Sequence, residues 1–263
     1  MRKFIFGVLV LLTACTATQQ ATVNPTGQSV QVDGKLFTTV FQQKAAEYRA
    51  LCFQAYNIAR LRLDNYKRST QKPLAIITDL DETLLDNSKY QAAQCLINKD
   101  YDSESWAKWT ARAEADTLPG AVSFFKYAAS RGVEIYYITN RNETERQNTM
   151  ANLRKFGLPN TDDAHLMPRS TTSSKEERRQ KVLADHEIVM LLGDNLADFS
   201  ALFDKKPFSE REKNTNISQA DFGSRFIVLP NSVYGDWESV LYNYNYKLTP
   251  AQKDSVLKSV LVK

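Results

Sequence analysis

Histidine and cysteine are scarce in this chain, at two and three residues in 263. Chemistry built on a histidine nucleophile needs an Arg-His-Gly-type motif, and neither His165 nor His186 stands in one. Cys15 falls at the end of an N-terminal leader, which leaves Cys52 and Cys95 to the body of the chain. Two thiols without geometry leave a disulfide and buried free cysteines both open. No charge sign dominates: 34 Lys and Arg face 30 Asp and Glu, for a formal net charge of +4. Loss of Arg2 and Lys3 with the leader lowers that to +2. The basic residues are scattered among acidic ones, which excludes a nucleic-acid-binding face. The run Lys175 to Lys181 reads as a solvated helix face, Lys175 apart. The apolar run Phe4 to Leu12 is too short to span a bilayer, and no internal repeat is present.

What is there begins with a leader. Met1-Arg2-Lys3 is a positive n-region, Phe4 to Leu12 an apolar h-region, and Leu12-Thr13-Ala14-Cys15 follows. The reading is a signal peptide over residues 1–14 and a polar tether over 15–34. Residues 35–263 form one α/β domain with an insertion. Leu36 to Arg68 reads as helix, with Phe37, Val40, Phe41, Tyr48, Cys52 and Ala55 along its apolar stripe. Leu74 to Asp79 reads as strand, and Gln91 to Thr117 carries no strand signal. An α/β alternation then runs through helix Ala121 to Ser130, strand Val133 to Ile138 and helix Glu143 to Phe156, closed by Gly157. Helix Lys175 to Asp185 and strand Glu187 to Leu192 follow, then a polar loop around Glu210 to Gln219, strand Phe226 to Leu229 and an amphipathic tail over Lys247 to Lys263. Such alternation predicts a parallel sheet covered by helices on both faces. Residues 70–90 and 118–245 make its core. Residues 35–69 and 91–117 make a small helical cap over the sheet's edge.

Two acidic motifs carry the chemistry. Ile76-Ile77-Thr78 leads a buried strand into Asp79-Leu80-Asp81, and ligands of open α/β sheets bind just past the carboxyl ends of strands. Strand period lets the side chains of Asp79 and Asp81 converge on one ligand. Glu187 to Leu192 is a second buried strand, whose exit Gly193 places Asp194 level with Asp79 if the strands are neighbours. Asp198 lies one helical turn further along. Four carboxylates at two strand ends suit a hard, oxygen-loving cation such as Mg²⁺.

Asp79-Leu80-Asp81-Glu82-Thr83 resembles the D-x-D-x-T motif of the haloacid-dehalogenase (HAD) superfamily of phosphotransferases. The longer Ile77 to Tyr90 stretch and Val189 to Phe199 resemble the bacterial class C acid phosphatases of the lipoprotein e type. That resemblance runs from Gln43 to Glu238, and implies a Rossmann-like HAD core with a four-aspartate site. It implies Asp79 as nucleophile, Asp81 as general acid and base, Thr139 as a ligand of the transferred phosphoryl group and Lys175 as its charge partner. Mg²⁺ would sit on Asp79, the backbone carbonyl of Asp81 and Asp194, with Asp198 close behind. Asn140 and Arg141 would reach phosphate or substrate. Trp106, Tyr234 and Trp237 would border the pocket and stack on a nucleobase or nicotinamide ring. Leu12 to Cys15 resembles a lipobox, which implies acylation of Cys15 and, from Thr16 in place of Asp, the outer membrane. The implied function is an acid phosphatase with 5′-nucleotidase activity on small phosphomonoesters, nicotinamide mononucleotide among them. A phosphotransferase on the same scaffold and a non-enzymatic surface-binding lipoprotein are the alternatives. A homodimer stays open.

Overall fold

The computed structural model describes residues 29–169 and 171–262. Helices α1 (Val30–Lys44) and α2 (Ala46–Asp64) lead into β1 (Leu74–Thr78). A short strand β2 (Leu85–Asp86), helices α3 (Ser88–Leu96) and α4 (Ser103–Ala111), and a second short strand β3 (Asp116–Thr117) follow. Next come α5 (Ala121–Ser130), β4 (Glu134–Asn142), α6 (Arg146–Lys155), β5 (Leu166–Arg169), α7 (Glu176–Asp185) and β6 (Glu187–Gly193). The chain ends through α8 (Phe208–Ile217), β7 (Phe226–Val228), α9 (Asp236–Ser239) and α10 (Pro250–Ser259).

Five strands form one parallel sheet in the order β5-β4-β1-β6-β7, while β2 and β3 make a separate antiparallel pair. The expected α/β class is what the chain adopts. Alternation along β1 divides the core. Ile76 joins Ile135, Tyr137, Met190 and Leu192 on the face covered by α2, α5 and α6, where Phe124, Phe125 and Leu153 are buried. Ala75 and Ile77 join Tyr136 and Ile138 on the other face, closed by Val182 of α7. Each fully buried large aliphatic side chain contributes ~1.5–3 kcal/mol. The sheet is thereby held rigid beneath its C-terminal strand ends.

Several local expectations change. The single long N-terminal helix is two, broken at extended Ala45. Helix α1 starts at Val30, inside the segment expected to be tether. Phe37, Val40 and Phe41 are exposed, and α1 buries Gln31, Lys35, Thr39 and Gln42 instead. The physical reason is that α1 faces a polar cavity, which Gln31, Lys35 and Gln42 line. The apolar stripe holds only in α2, through Tyr48, Cys52, Ala55 and Ala59. Helix α2 packs on α5 and β7, as part of the layer over the sheet. The polar stretch 210–219 falls mostly in helix α8, and the tail helix α10 has no fully buried residue. Cys52 and Cys95 are buried free thiols. No described helix is long and apolar enough to cross a membrane. Cys15, the expected lipidation site, lies outside the described residues.

Candidate active site

Strands β1 and β6 are neighbours, and the Asp79 amide donates to the Leu192 carbonyl at 3.0 Å. The two acidic motifs therefore leave adjacent strands at the same level, as ligand sites of parallel sheets require. Carboxylate oxygens of Asp79, Asp194 and Asp198 come within 4.8 Å of one another. Gly193 makes that approach fit, because a Cβ there would stand 2.4 Å from Asp198 Oδ2. The Asp198 carboxylate is fixed at its other contacts, accepting from the Asn195 amide at 3.0 Å and pairing with Lys175 Nζ at 2.7 Å. Asn231 donates to Asp194 at 2.7 Å, and Thr83 Oγ donates to Asp194 at 3.2 Å and Asp79 at 3.4 Å.

Lys175, at the start of α7, is buried and also pairs with Asp79. One ammonium faces three carboxylates. Burial opposes the charge on Lys175, but Asp198 and Asp79 outweigh it and hold the amine above its ordinary pKa. Burial pushes the Asp79 carboxyl up to about 7, against the pull of Lys175, with Asp198 and Asp81 adding to the rise. Burial, Asp198 and Asp79 drive Asp194 well above the carboxylate range. Such an excess of buried oxygen donors matches a divalent cation, whose charge would remove the repulsion.

Asp81 does not join that trio. Its carboxylate takes a two-pronged contact from Arg141, with Nη2 at 2.7 Å and Nε at 3.1 Å, and a hydrogen bond from Asn87 Nδ2 at 2.9 Å. As a metal ligand it is therefore excluded through its side chain in this arrangement. Arg141 in turn lies over the Trp106 ring, 5.6 Å from its centroid, and donates to Thr149. Thr139 is fully buried at the C-terminal part of β4, where its Oγ accepts the Arg141 amide at 3.1 Å. Asn140 is exposed and accepts from Arg178 at 3.0 Å. Asp79, Asp81, Asn140, Arg141, Lys175, Asp194, Asp198, Trp106 and Tyr234 all line one cavity of about 600 Å³. Thr139, fully buried behind Asn140 and Arg141, is not on its wall, and neither is Trp237, which is 44% exposed and whose indole N–H donates to the Tyr234 carbonyl at 3.1 Å.

Sequence reasoning passed over several residues of this site. Glu82 is buried in a left-handed turn (φ 55°), held by the Asn87 amide at 2.9 Å and by the Tyr234 hydroxyl. Burial and the Asp81 charge push its carboxyl up to about 8. Asn87 links the turn outward, accepting from Trp109 Nε1 at 2.8 Å. Arg178 donates to the Thr139 carbonyl at 2.6 Å, and buried Arg179 to the carbonyls of Ala197 at 2.8 Å and Asp198 at 3.0 Å. Within the run 175–181, Glu177, Gln180 and Lys181 are exposed as a solvated face requires, but Arg178 and Arg179 turn inward beside Lys175. The signal was helical period: Lys175, Arg178, Arg179 and Val182 fall on one side of a helix.

Comparison with known proteins agrees with this geometry. The family model of the HAD superfamily, subfamily IIIB (acid phosphatase), matches residues 10–237. The class C acid phosphatase from Bacillus anthracis is 40% identical, with a TM-score of 0.85 over 89% of this chain and 98% of that one. A crystal structure of that enzyme with tungstate bound is equally similar, at 40% identity and TM-score 0.85, covering 88% of this chain and 98% of the other. Acid phosphatase 1 of Solanum lycopersicum is 28% identical over 131 residues, 46% of this chain, and the match spans half of the tomato protein's length. With its sheet, its strand-end aspartates and these likenesses in agreement, the chain belongs to the HAD superfamily, subfamily IIIB, a family of acid phosphatases.

Proposed function

We propose that the chain hydrolyses small phosphomonoesters in two displacements through a phosphorylated Asp79. The observation that carries this reading is the pairing of Asp79 with Lys175 at the end of β1, beside a second carboxylate two residues on. In the first step an Asp79 carboxylate oxygen forms a bond to phosphorus while the ester P–O bond breaks, and Asp81 gives its proton to the departing oxygen. In the second, Asp81 takes a proton from water, whose oxygen attacks phosphorus and releases Asp79. Arg141 and Asn87 orient Asp81 for both transfers. Thr139, whose Oγ already accepts the Arg141 amide, keeps its own hydrogen for a phosphoryl oxygen. Lys175 steadies the charge on nucleophile and phosphate. Asp79, Asp194, Asp198 and the Asp81 carbonyl would hold Mg²⁺, which when bound offsets the repulsion between anionic nucleophile and anionic phosphate.

The oxyanion tungstate found in the Bacillus anthracis relative supports a phosphate-sized anion subsite here. The rings of Trp106, Tyr101 and Tyr234 on the cavity wall support 5′-nucleotides and nicotinamide mononucleotide as substrates. The leader and Cys15 support a lipid-anchored enzyme at the outer membrane. Turnover of p-nitrophenyl phosphate is the first test, with Mg²⁺, with EDTA and in Asp79→Asn. Activity that needs the metal and disappears in the variant is expected. Turnover retained by Asp79→Asn would refute the mechanism. A panel of nucleoside monophosphates, nicotinamide mononucleotide and sugar phosphates ranks the esters by kcat/KM, and equal values across it would refute the nucleotide preference.

A further inference from the structure

Five cationic side chains line the cavity: Lys35, Arg141, Arg169, Lys175 and Lys253. Four are already paired with carboxylates. Lys35 lies 2.8 Å from Asp100 and 3.2 Å from Glu238, and Lys253 lies 3.4 Å from Asp100. Arg141 holds Asp81, and Lys175 bridges Asp79 and Asp198. Among the described residues Arg169 alone of the five has no carboxylate within ion-pair distance. The one side-chain hydrogen bond it makes among the described residues is a donation to Asn142 Oδ1 at 2.5 Å.

The position is fixed by the sheet. Asn142 and Arg169 pair across β4 and β5, just beyond Thr139-Asn140-Arg141. Arg169 therefore stands beyond the strand end that carries Thr139-Asn140-Arg141, on the wall of the same cavity as Asp79 and Asp81. Tyr101, between α3 and α4, shares the cavity wall. A half-buried guanidinium carries five N–H donors in a planar fork that matches phosphate oxygens two at a time. Leaving it partly desolvated without an anion is unfavourable, and a negatively charged ligand group would supply the missing partner. A phosphate fits better than a carboxylate, because its third oxygen can also accept from the Tyr101 hydroxyl or the side-chain NH2 of Asn142.

We propose that Arg169 is a specificity-determining residue which receives a second phosphate carried by the leaving group. The enzyme then prefers bisphosphate esters to matching esters that end in a neutral hydroxyl. This rests on the phosphomonoesterase reading of the same cavity. The test compares alkanediol bisphosphates of graded chain length with the corresponding hydroxyalkyl monophosphates. At the length that spans the site, kcat/KM for the bisphosphate should exceed its partner by roughly tenfold, about 1.4 kcal/mol, with the gain mainly in KM. Arg169→Met should erase that excess and Arg169→Lys restore part of it, while p-nitrophenyl phosphate turnover stays unchanged. No excess at any length in the native enzyme would overturn the proposal, as would an excess that survives Arg169→Met. Should Arg169→Met not fold, the native series alone decides. Loss of all turnover, p-nitrophenyl phosphate included, would instead refute the hydrolase reading itself.

Discussion

The smallest substitution available at the site, Gly193→Ala, adds one methyl group at the end of β6. That carbon would stand 2.4 Å from both Cβ and Oδ2 of Asp198, whereas carbon atoms in good contact sit ~3.5–4.0 Å apart. Rotating the Asp198 side chain cannot relieve the clash, since Cβ is fixed to the backbone. The turn Leu196–Asp198 must move instead, by about 1 Å or more. Its movement loosens the Asp198 contacts with the Asn195 amide at 3.0 Å and Lys175 at 2.7 Å. Overpacking of this kind costs about 1–3 kcal/mol, and an ångström of misplacement in a reaction centre costs roughly a hundredfold in rate. Urea denaturation and kcat/KM on p-nitrophenyl phosphate measure the two effects. Gly34→Ala is the control, because an exposed helical glycine with nothing within 4 Å of its Cβ position has room. It should gain about 0.5–1 kcal/mol with activity unchanged. A Gly193→Ala enzyme within twofold of native kcat/KM would refute the claim that the seat of Asp198 is part of the machinery.

Three further outcomes follow from the same contacts. Lys175→Met leaves Asp79 and Asp198 buried without their counter-charge and should cost about 3–5 kcal/mol of stability; an unchanged urea midpoint would contradict the pairing. Trp109→Phe strips the donor from Asn87 Oδ1 and should cost about 1–3 kcal/mol, with kcat reduced more than KM as Asn87, which orients Asp81 together with Arg141, loses its anchor; native kcat would count against that role. Glu187 is held at about 2 by the Thr70 hydroxyl, the Ser69 amide, Tyr66 and the Thr70 amide. Its unfolded value is roughly 4.3, so this carboxylate stabilises the fold fully above that pH and loses the contribution as pH falls through 2. Glu187→Gln should therefore be less stable than native protein at neutral pH and converge with it in acid; a constant difference across pH 2–5 would contradict the linkage.

The parts of the fold legible in the sequence were those whose side chains meet the core. Ile76 and Ile77 announce β1 because both faces of a parallel strand are buried, and β6 follows the same logic. Strand β5 escaped because it is four residues long and contains Pro168, which an edge strand tolerates. Helix α1 misled because its inward side meets a cavity lined largely by polar residues, so Gln31, Lys35 and Gln42 are buried and Phe37 is exposed. At the site, Asp79 and Asp194 were legible because strand ends place them, and Asp198 because it follows Asp194 by four residues, one turn further along. Asn231 and Arg169 were not, since they meet their partners across 37 and 27 residues of chain, and Asn87 gave no sign that its side chain folds back onto Asp81. Trp237 shows the converse: an aromatic near the right segment points out of the cavity.

The central claim is covalent transfer of phosphorus to Asp79, and trapping that adduct tests it most directly. Asp81→Asn enzyme should be mixed with 2,4-dinitrophenyl phosphate, whose leaving group needs no proton, then quenched in acid and digested for mass spectrometry. Attack by Asp79 can go ahead, while water attack lacks its base. A phosphoryl group accumulating on the peptide at Asp79, in step with a burst of dinitrophenol, is the predicted result. A burst with the adduct on any other residue, or turnover with no adduct at all, would contradict the account.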